Sequence, residues 1–238
     1  TYIGGDRVFA NAYGIERLPS EAVLGQRLDE LPPWRSHAAL RELNRRLLSK
    51  REFVTVKPGH LKLVPVDIDV SPLDNSGSSK QGVSFTYKKH DGYAPIFAYL
   101  GTEGHMLDCE LRPGSQHCQS GTPEFIGACV KTLDTLGLSG RCLLRLDSGN
   151  DAAVNFDHFG ENFFIVKRNL RKECREQWLA TARRVGAKCE SRDGKNFYIG
   201  YVDHLRPGGD PSRACVSVVL EVIERLTDRD GNYLLVPE

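Results

Sequence analysis

Two stretches of the chain carry acid to the end of an apolar run. LKLVPVDIDVSPLD, residues 61–74, runs into Asp67 and Asp69, and LLRLDSGND, residues 143–151, runs into Asp147 and then Asp151. Burying an unpaired carboxylate is expensive, so an aspartate at the mouth of an apolar strand is solvated, caps a helix or holds a cation. Two divalent ions about 4 Å apart, held by shared carboxylates, activate a water or hydroxyl on one side of a phosphodiester and stabilise the leaving oxygen on the other. Mg²⁺ or Mn²⁺ suits such oxygen ligands better than a thiolate-preferring metal. Strand periodicity puts Asp67 and Asp69 on one face, so that one ligates while its neighbour supports. Asp69, nearer the strand end and followed by Ser71, is the expected ligand, with Asp147 as its partner and Asp151 in support. The structural alternatives are turn capping by Asp69 and Asp74, and capping by Asp147 and Asp151 of a helix that starts near Asn150.

The elements that must position these residues are legible in outline. Ser20 is expected to cap a helix with Leu24, Leu28 and Leu31 on one face, and Ser36 another with Leu40, Leu43 and Leu47, with Pro32 and Pro33 between them. After the strand ending at Asp69 comes a polar loop, LDNSGSSKQG. VSFTYK, YAPIFAYLG and HMLDCELR read as strands with short, glycine-containing links that suit antiparallel neighbours. Residues 122–136 read as a helix, CLLRLDS as a strand, NDAAVNFDHFG as a short helix and NFFIVKR as a strand. RKECREQWLATARR reads as a helix with Cys174, Trp178 and Ala182 on its face. KNFYIGYVDHL, ACVSVVLEVIERL and, after a DRDGN turn, YLLVPE read as antiparallel strands. In an open sheet, functional strand ends meet where the strand order reverses, which predicts Asp69 and Asp147 side by side.

Composition narrows the class. The 238 residues are 40% hydrophobic and carry a formal net charge of +1, enough to bury a core and neutral on charge as to partner. The charge is uneven: residues 61–160 hold 12 Asp or Glu against 8 Lys or Arg, whereas residues 167–195 hold 10 Lys or Arg against 4 acids. An acidic centre beside basic segments suits a metal site serving a polyanion, and equally a solvated helix face. Seven cysteines without a CxxC spacing argue against a zinc ribbon or redox motif and predict reduced, mostly buried thiols in a cytoplasmic protein. No apolar stretch approaches the roughly 20 residues that span a bilayer, so a membrane partner is not expected. Thr1 is not an initiator and NYLLVPE breaks off within a strand-like pattern, which leads us to expect a piece of a longer polypeptide.

VDIDVSPLDNSG, KKHDGYAPIFAYLG, ELRPGSQHCQSGTPEF and LLRLDSGND, preceded by LPSEAVLGQRLDELPP, resemble the DDE transposases of bacterial insertion sequences, the cut-and-paste group. The resemblance implies an α/β fold: a ribonuclease-H-like mixed sheet flanked by helices, with a β-rich insertion after the second catalytic strand. It implies a helical segment at 1–60, the first part of the catalytic core at 61–186 and the insertion at 187–238. In that group the first aspartate closes the first strand in an Asp-x-Thr/Ser context, as Asp69-Val70-Ser71 does, and the second closes the fourth strand, as Asp147 does. The implied activity is endonuclease cleavage and strand transfer with a two-metal Mg²⁺ or Mn²⁺ site. The implied partners are double-stranded DNA and a second protomer in a synaptic dimer, within the bacterial cytoplasm and its nucleoid. One motif is missing: the Tyr-x2-Arg-x3-Glu-x6-Lys helix has no counterpart, since no tyrosine here has an arginine three residues on. Glu221 and Glu224 fall in a β-branched, strand-like run. The third carboxylate is therefore expected beyond Glu238, and the chain alone is expected to be inactive.

Two other readings stand beside it. Asp67-x-Asp69-x-Ser71 also resembles the nucleophile motif of haloacid-dehalogenase-like phosphatases, with DSGND as their late Asp-x3-Asp; Asp67 would then be nucleophile and Asp69 general acid/base. Those enzymes use a parallel sheet with helical crossovers, unlike the short links after Asp69. A domain that only binds DNA would use Lys167, Arg168, Arg171, Lys172 and Arg175 on the phosphate backbone. Trp178 on its apolar helix face reads as core, and His117 beside Cys118 reads as an aid to phosphate orientation near the acid pair.

Overall fold

The computed structural model describes Val8, Asn11, Gly14, Glu16, and residues 19–170, 173–189, 194–205, 210, 212 and 215–235. The chain divides into two compact units, Thr1–Phe53 and Val54–Glu238. The first holds α1 (Glu21–Glu30) and α2 (Pro33–Leu48). Ser20 caps α1 weakly, its hydroxyl accepting from Val23 N at 3.4 Å. Ser36, expected to cap the second helix, lies inside it: α2 starts at Pro33 behind Pro32, because a proline at the first helical position lacks only an N–H that would be unpaired anyway. Leu40, Leu43 and Leu47 are exposed.

The second unit is built on a five-stranded mixed sheet. Its strands are β1 (Val64–Val70), β5 (Ile96–Leu100), β6 (His105–Glu110), β7 (Cys142–Leu146) and β8 (Phe163–Val166), in the order β6-β5-β1-β7-β8. β5 runs antiparallel to β1 and β6 antiparallel to β5, whereas β1, β7 and β8 are parallel. This is the ribonuclease-H-like arrangement, three antiparallel neighbours followed by two parallel additions. β1 alternates as a half-covered strand should: Val66, Ile68 and Val70 are buried, Asp67 and Asp69 are on the other face. α3 (Thr122–Thr135) buries Phe125, Ile126, Cys129 and Leu133, the i, i+3/i+4, i+7 stripe of a helix on a core. Burying Phe125, Ile126 or Leu133 stabilises by about 1.5–3 kcal/mol each. After β7 come a 3₁₀ turn at Ser148–Asn150 and the single-turn helix α4 (Ala153–Phe156). Phe156, Phe159 and Phe164 cluster with centroids 4.9–5.6 Å apart and pin that helix to β8.

Two smaller sheets complete the unit. β2 (Leu73–Asp74), β3 (Ser84–Phe85) and β4 (Asp91–Tyr93) form one, in the order β2-β4-β3. VSFTYK, expected as one strand, contributes only Ser84–Phe85, because the buried Thr86 bonds back to His90 through both its N and its Oγ1 and closes a turn. YAPIFAYLG is likewise divided at Ala94-Pro95, where the proline has no N–H for a ladder and Ala94 N donates to Arg112 O instead. β9 (Ala187–Cys189), β10 (Lys195–Leu205) and β11 (Val216–Arg225) form the third sheet, all antiparallel, and α5 (Arg175–Val185) packs on it. α5 starts later than the sequence pattern predicts: Cys174 is its N-cap and not part of its face. YLLVPE does not form the expected strand within the described residues; Tyr233 makes one bridge to Thr227.

The cysteines are reduced, but only Cys129 and Cys142 are buried, while Cys109, Cys174 and Cys215 are exposed. The expectation of mostly buried thiols fails because Cys174 caps a helix and Cys109 points off the covered face of β6. Burial pushes the Cys142 thiol up to about 12. No helix among the described residues is long and apolar enough to cross a membrane.

Candidate functional site

The two strand-end aspartates meet because of register. β1 and β7 are parallel at a constant offset, with Val64 opposite Cys142 and Ile68 opposite Leu146. The next residue of each strand is an aspartate, so Asp69 and Asp147 emerge side by side at the carboxyl edge of the sheet, where strand order reverses. Both line an open cleft of about 760 Å³, together with Tyr87, Lys89, His117 and Asn169. Asp147 is held firmly: its Oδ1 accepts from Gly149 N at 3.1 Å and from Asn150 Nδ2 at 2.8 Å. Asn150 is in turn fixed, its carbonyl accepting from Asn155 Nδ2 at 2.7 Å. Asp69 Oδ1 accepts from Val70 N at 2.8 Å.

The electrostatics of the pair are unfavourable in the absence of a cation. Burial by the cleft walls, then the negative charge of Asp147, push Asp69 above its ordinary value; the Val70 N–H, Lys88 and Ser71 oppose this without cancelling it. The residue as a whole is open to solvent, so the penalty sits at the carboxyl and is modest. A divalent cation relieves it and finds hard oxygen ligands. The two carboxylates suit a hard divalent cation, and no group of three or more His, Cys, Asp or Glu poised to hold a metal exists among the described residues. Asn150 Oδ1, buried and without a hydrogen-bond partner, is a further oxygen beside the pair.

The other expected site residues fall elsewhere or differ in environment. Asp67, one ladder step before Asp69, is bound by Arg145 through two hydrogen bonds of 2.5 and 2.6 Å. Asp151 turns away; its Oδ2 accepts from Asn169 N at 2.8 Å, and it lines a separate cleft with Lys167 and Arg168. His117 lines the acid cleft, its Nδ1 accepting from Gln119 N at 3.3 Å. Arg168 is paired with Glu173, which also accepts from the half-buried Trp178 Nε1. Arg175 is exposed at the start of α5, and Arg171 and Lys172 lie outside the described residues. The phosphatase reading loses its geometry here: Asp67 is committed to Arg145, and β1 continues into an antiparallel hairpin.

Sequence reasoning missed Tyr87, Asn150 and Arg145. The signal for Arg145 was present, since it stands as many residues after Asp67 as Asp147 stands after Asp69. For Tyr87 the signal was the alternation Phe85, Tyr87 followed by two lysines, hidden because the strand was read through the turn. Glu224, buried and bonded by Arg183, Asn196 and Tyr198, is a structural acid on β11.

No curated protein matches this chain. Among solved structures it is similar to a piggyBac transposase in a synaptic complex with hairpin DNA, at 13% identity and a TM-score of 0.37, covering 65% of this chain and 32% of that one. The chain thus spans about a third of the length of that transposase. The transposase DDE domain, group 1, matches residues 3–156, well over half of the sequence, and the chain belongs to that family of DDE transposases.

Proposed function

We propose that Asp69 and Asp147 are the first two carboxylates of a phosphodiester cleavage and strand-transfer site in a cut-and-paste transposase of the insertion-sequence type. The observation that carries this is the parallel register of β1 and β7, which delivers the two aspartates together into one open cleft. Asp69 and Asp147 would hold Mg²⁺ or Mn²⁺, which supplies activation of the attacking oxygen and stabilisation of the leaving one. The chain's residues do the positioning: Gly149 N and Asn150 Nδ2 saturate one oxygen of Asp147 and leave the other for a ligand, while Val70 N fixes Asp69. The reaction needs no protein nucleophile, only in-line geometry at the phosphorus.

A third carboxylate would complete the site. Glu224 is not that group, because three partners already occupy it. DNA ends and target are the substrate, bound as a synaptic dimer on bacterial chromosomal DNA, and Lys167, Arg171, Lys172 and Arg175 track its backbone. On this reading α1 and α2 belong to a helical segment ahead of the core, residues 61–186 are the first part of the core and 187–238 the insertion.

The test is diffraction from crystals of the chain soaked in Mn²⁺. The expected anomalous peak lies between Asp69 and Asp147. A peak at Asp67 or Asp151, or none at the pair, overturns the assignment.

A further inference from the structure

The segment between β1 and β5 folds over the acid pair without a part in the chemistry described so far. Its base is rigid. Gly114 fits so closely against Ser84 O and Gly92 O that a Cβ would stand 2.1 and 2.4 Å from them, and Ser115 N donates to Ser84 Oγ at 2.9 Å. Thr86, 1% exposed, closes the turn with two bonds of 2.9 Å to His90 O. Lys89 has φ 66°, alone among the described non-glycine residues in the left-handed region, a conformation that persists only where the surroundings impose it and that clusters at ligand clamps.

The tip, Tyr87-Lys88-Lys89, is by contrast open. Tyr87 is 63% exposed, and Phe85, two residues before it, 61%. The Tyr87 hydroxyl donates to Val70 O at 3.3 Å, so the ring is tethered beside Asp69 while most of the residue stays exposed. Burial of that hydroxyl, then the negative charges of Asp69 and Asp147, raise its pKa. The Lys88 ammonium lies over one face of the Tyr87 ring, 5.4 Å from its centroid, so a base would stack on the other face, and the lysine's charge reaches Asp69. Phe85, Tyr87 and Lys89 line the same cleft as the two aspartates.

A tethered, exposed ring, two lysines and a phosphate-directed acid pair match one ligand chemistry: a nucleotide whose base is unpaired. Within a duplex both faces of a base are covered by its neighbours, so a fixed ring can stack only on a strand that has been opened. We propose that this hairpin tip is a single-strand subsite, with Tyr87 stacking on an unpaired base next to the phosphate at Asp69 and Asp147, and Lys88 and Lys89 holding the flanking phosphates. The inference rests on the transposase reading only for what that central phosphate is.

The test measures anisotropy of fluorescein-labelled oligothymidylate and of a blunt duplex with the intact chain. Tyr87→Leu is expected to weaken oligothymidylate binding about thirtyfold, the middle of the range for one base stacked on an aromatic ring, and to leave duplex binding within about twofold. Tyr87→Phe keeps the ring and is expected to keep the binding, which separates stacking from loss of the tether. Lys88→Gln with Lys89→Gln is expected to lower the salt slope on oligothymidylate by roughly 0.7 for each lysine. Equal losses on both DNAs, no loss, or a Phe variant as weak as the Leu variant overturns the subsite. Mn²⁺ binding by electron paramagnetic resonance, run in parallel, separates the two ideas. A chain that binds Mn²⁺ but ignores Tyr87→Leu removes the subsite alone; a Tyr87-dependent strand binder that takes no Mn²⁺ retains the subsite and sinks the metal reading.

Discussion

Two acid positions on one face of β1, Asp67 opposite Arg145 and Asp69 beside Asp147 just past the end of β7, have opposite fates. On the inner rung the acid meets a guanidinium and is neutralised in a bidentate pair. On the outer rung the acid meets another acid, and burial plus that neighbour push Asp69 up. A fold that places a cation across from one aspartate and an aspartate across from the next spends stability at the strand end where a ligand can enter. Satisfied carboxylates are structure; the unsatisfied pair is where chemistry is possible.

The largest expected effect breaks the outer rung. On the proposed reading, Asp147→Asn in a complete transposase removes one shared metal ligand, and a loss of several kcal/mol of transition-state stabilisation corresponds to at least about a thousandfold in nicking rate. Gly149 N still finds an acceptor in the asparagine, so DNA binding by gel shift is expected to remain. Undiminished nicking would remove Asp147 from the site.

A smaller effect comes from turning the inner rung into a copy of the outer one. Arg145→Glu sets two carboxylates opposite each other. Both members of the native pair are about two-fifths exposed, so solvent screens the contact and the expected cost is about 2 kcal/mol, summed from a lost pair and a like-charge neighbour. Urea denaturation checks it. A variant as stable as the parent would mean that the Arg145 bridge contributes nothing and that the contrast between the rungs is one of geometry alone.

The sheet and its acid edge were legible because both follow from short-range rules. Alternation around Asp67 and Asp69, the apolar run into Asp147 and glycine-containing links fix strands and their neighbours. What stayed hidden depends on partners far away in the chain. Arg145 is an ordinary exposed strand residue until the register sets it across from Asp67. The turn at Thr86–His90 is closed by a threonine inside a β-like run, where propensity favours continuing the strand. The N-terminus of α2 was misplaced because Ser36 is a better cap by type than Pro32, although Pro33 starts a helix without one.

The smallest effects are in pH, where the two kinds of carboxylate carry opposite signs. Burial raises Glu224, but the bonds from Arg183, Asn196 and Tyr198 outweigh it and hold its carboxyl below the ordinary 4.5. The folded chain thus binds fewer protons there than the unfolded one, so this stabilisation is complete above 4.5 and is lost as pH falls through the lowered value. Glu224→Gln is expected to cost about 1–2 kcal/mol at neutral pH, the worth of charge-assisted bonds to a buried acceptor, with the deficit shrinking in acid. Asp69 behaves in reverse. Its raised pKa means that the folded chain binds more protons, so stability declines as pH rises from its ordinary 3.8 through the raised value and the cost persists above. With EDTA present, Asp69→Asn is expected to be more stable than the parent at neutral pH by less than about 1 kcal/mol, since solvent reaches the residue, and equal to it in acid. Added Mn²⁺ should invert the order by stabilising only the parent. A destabilised Asp69→Asn chain in EDTA would show that the outer rung is as satisfied as the inner one, leaving the cleft without the unmet charge that a cation would answer.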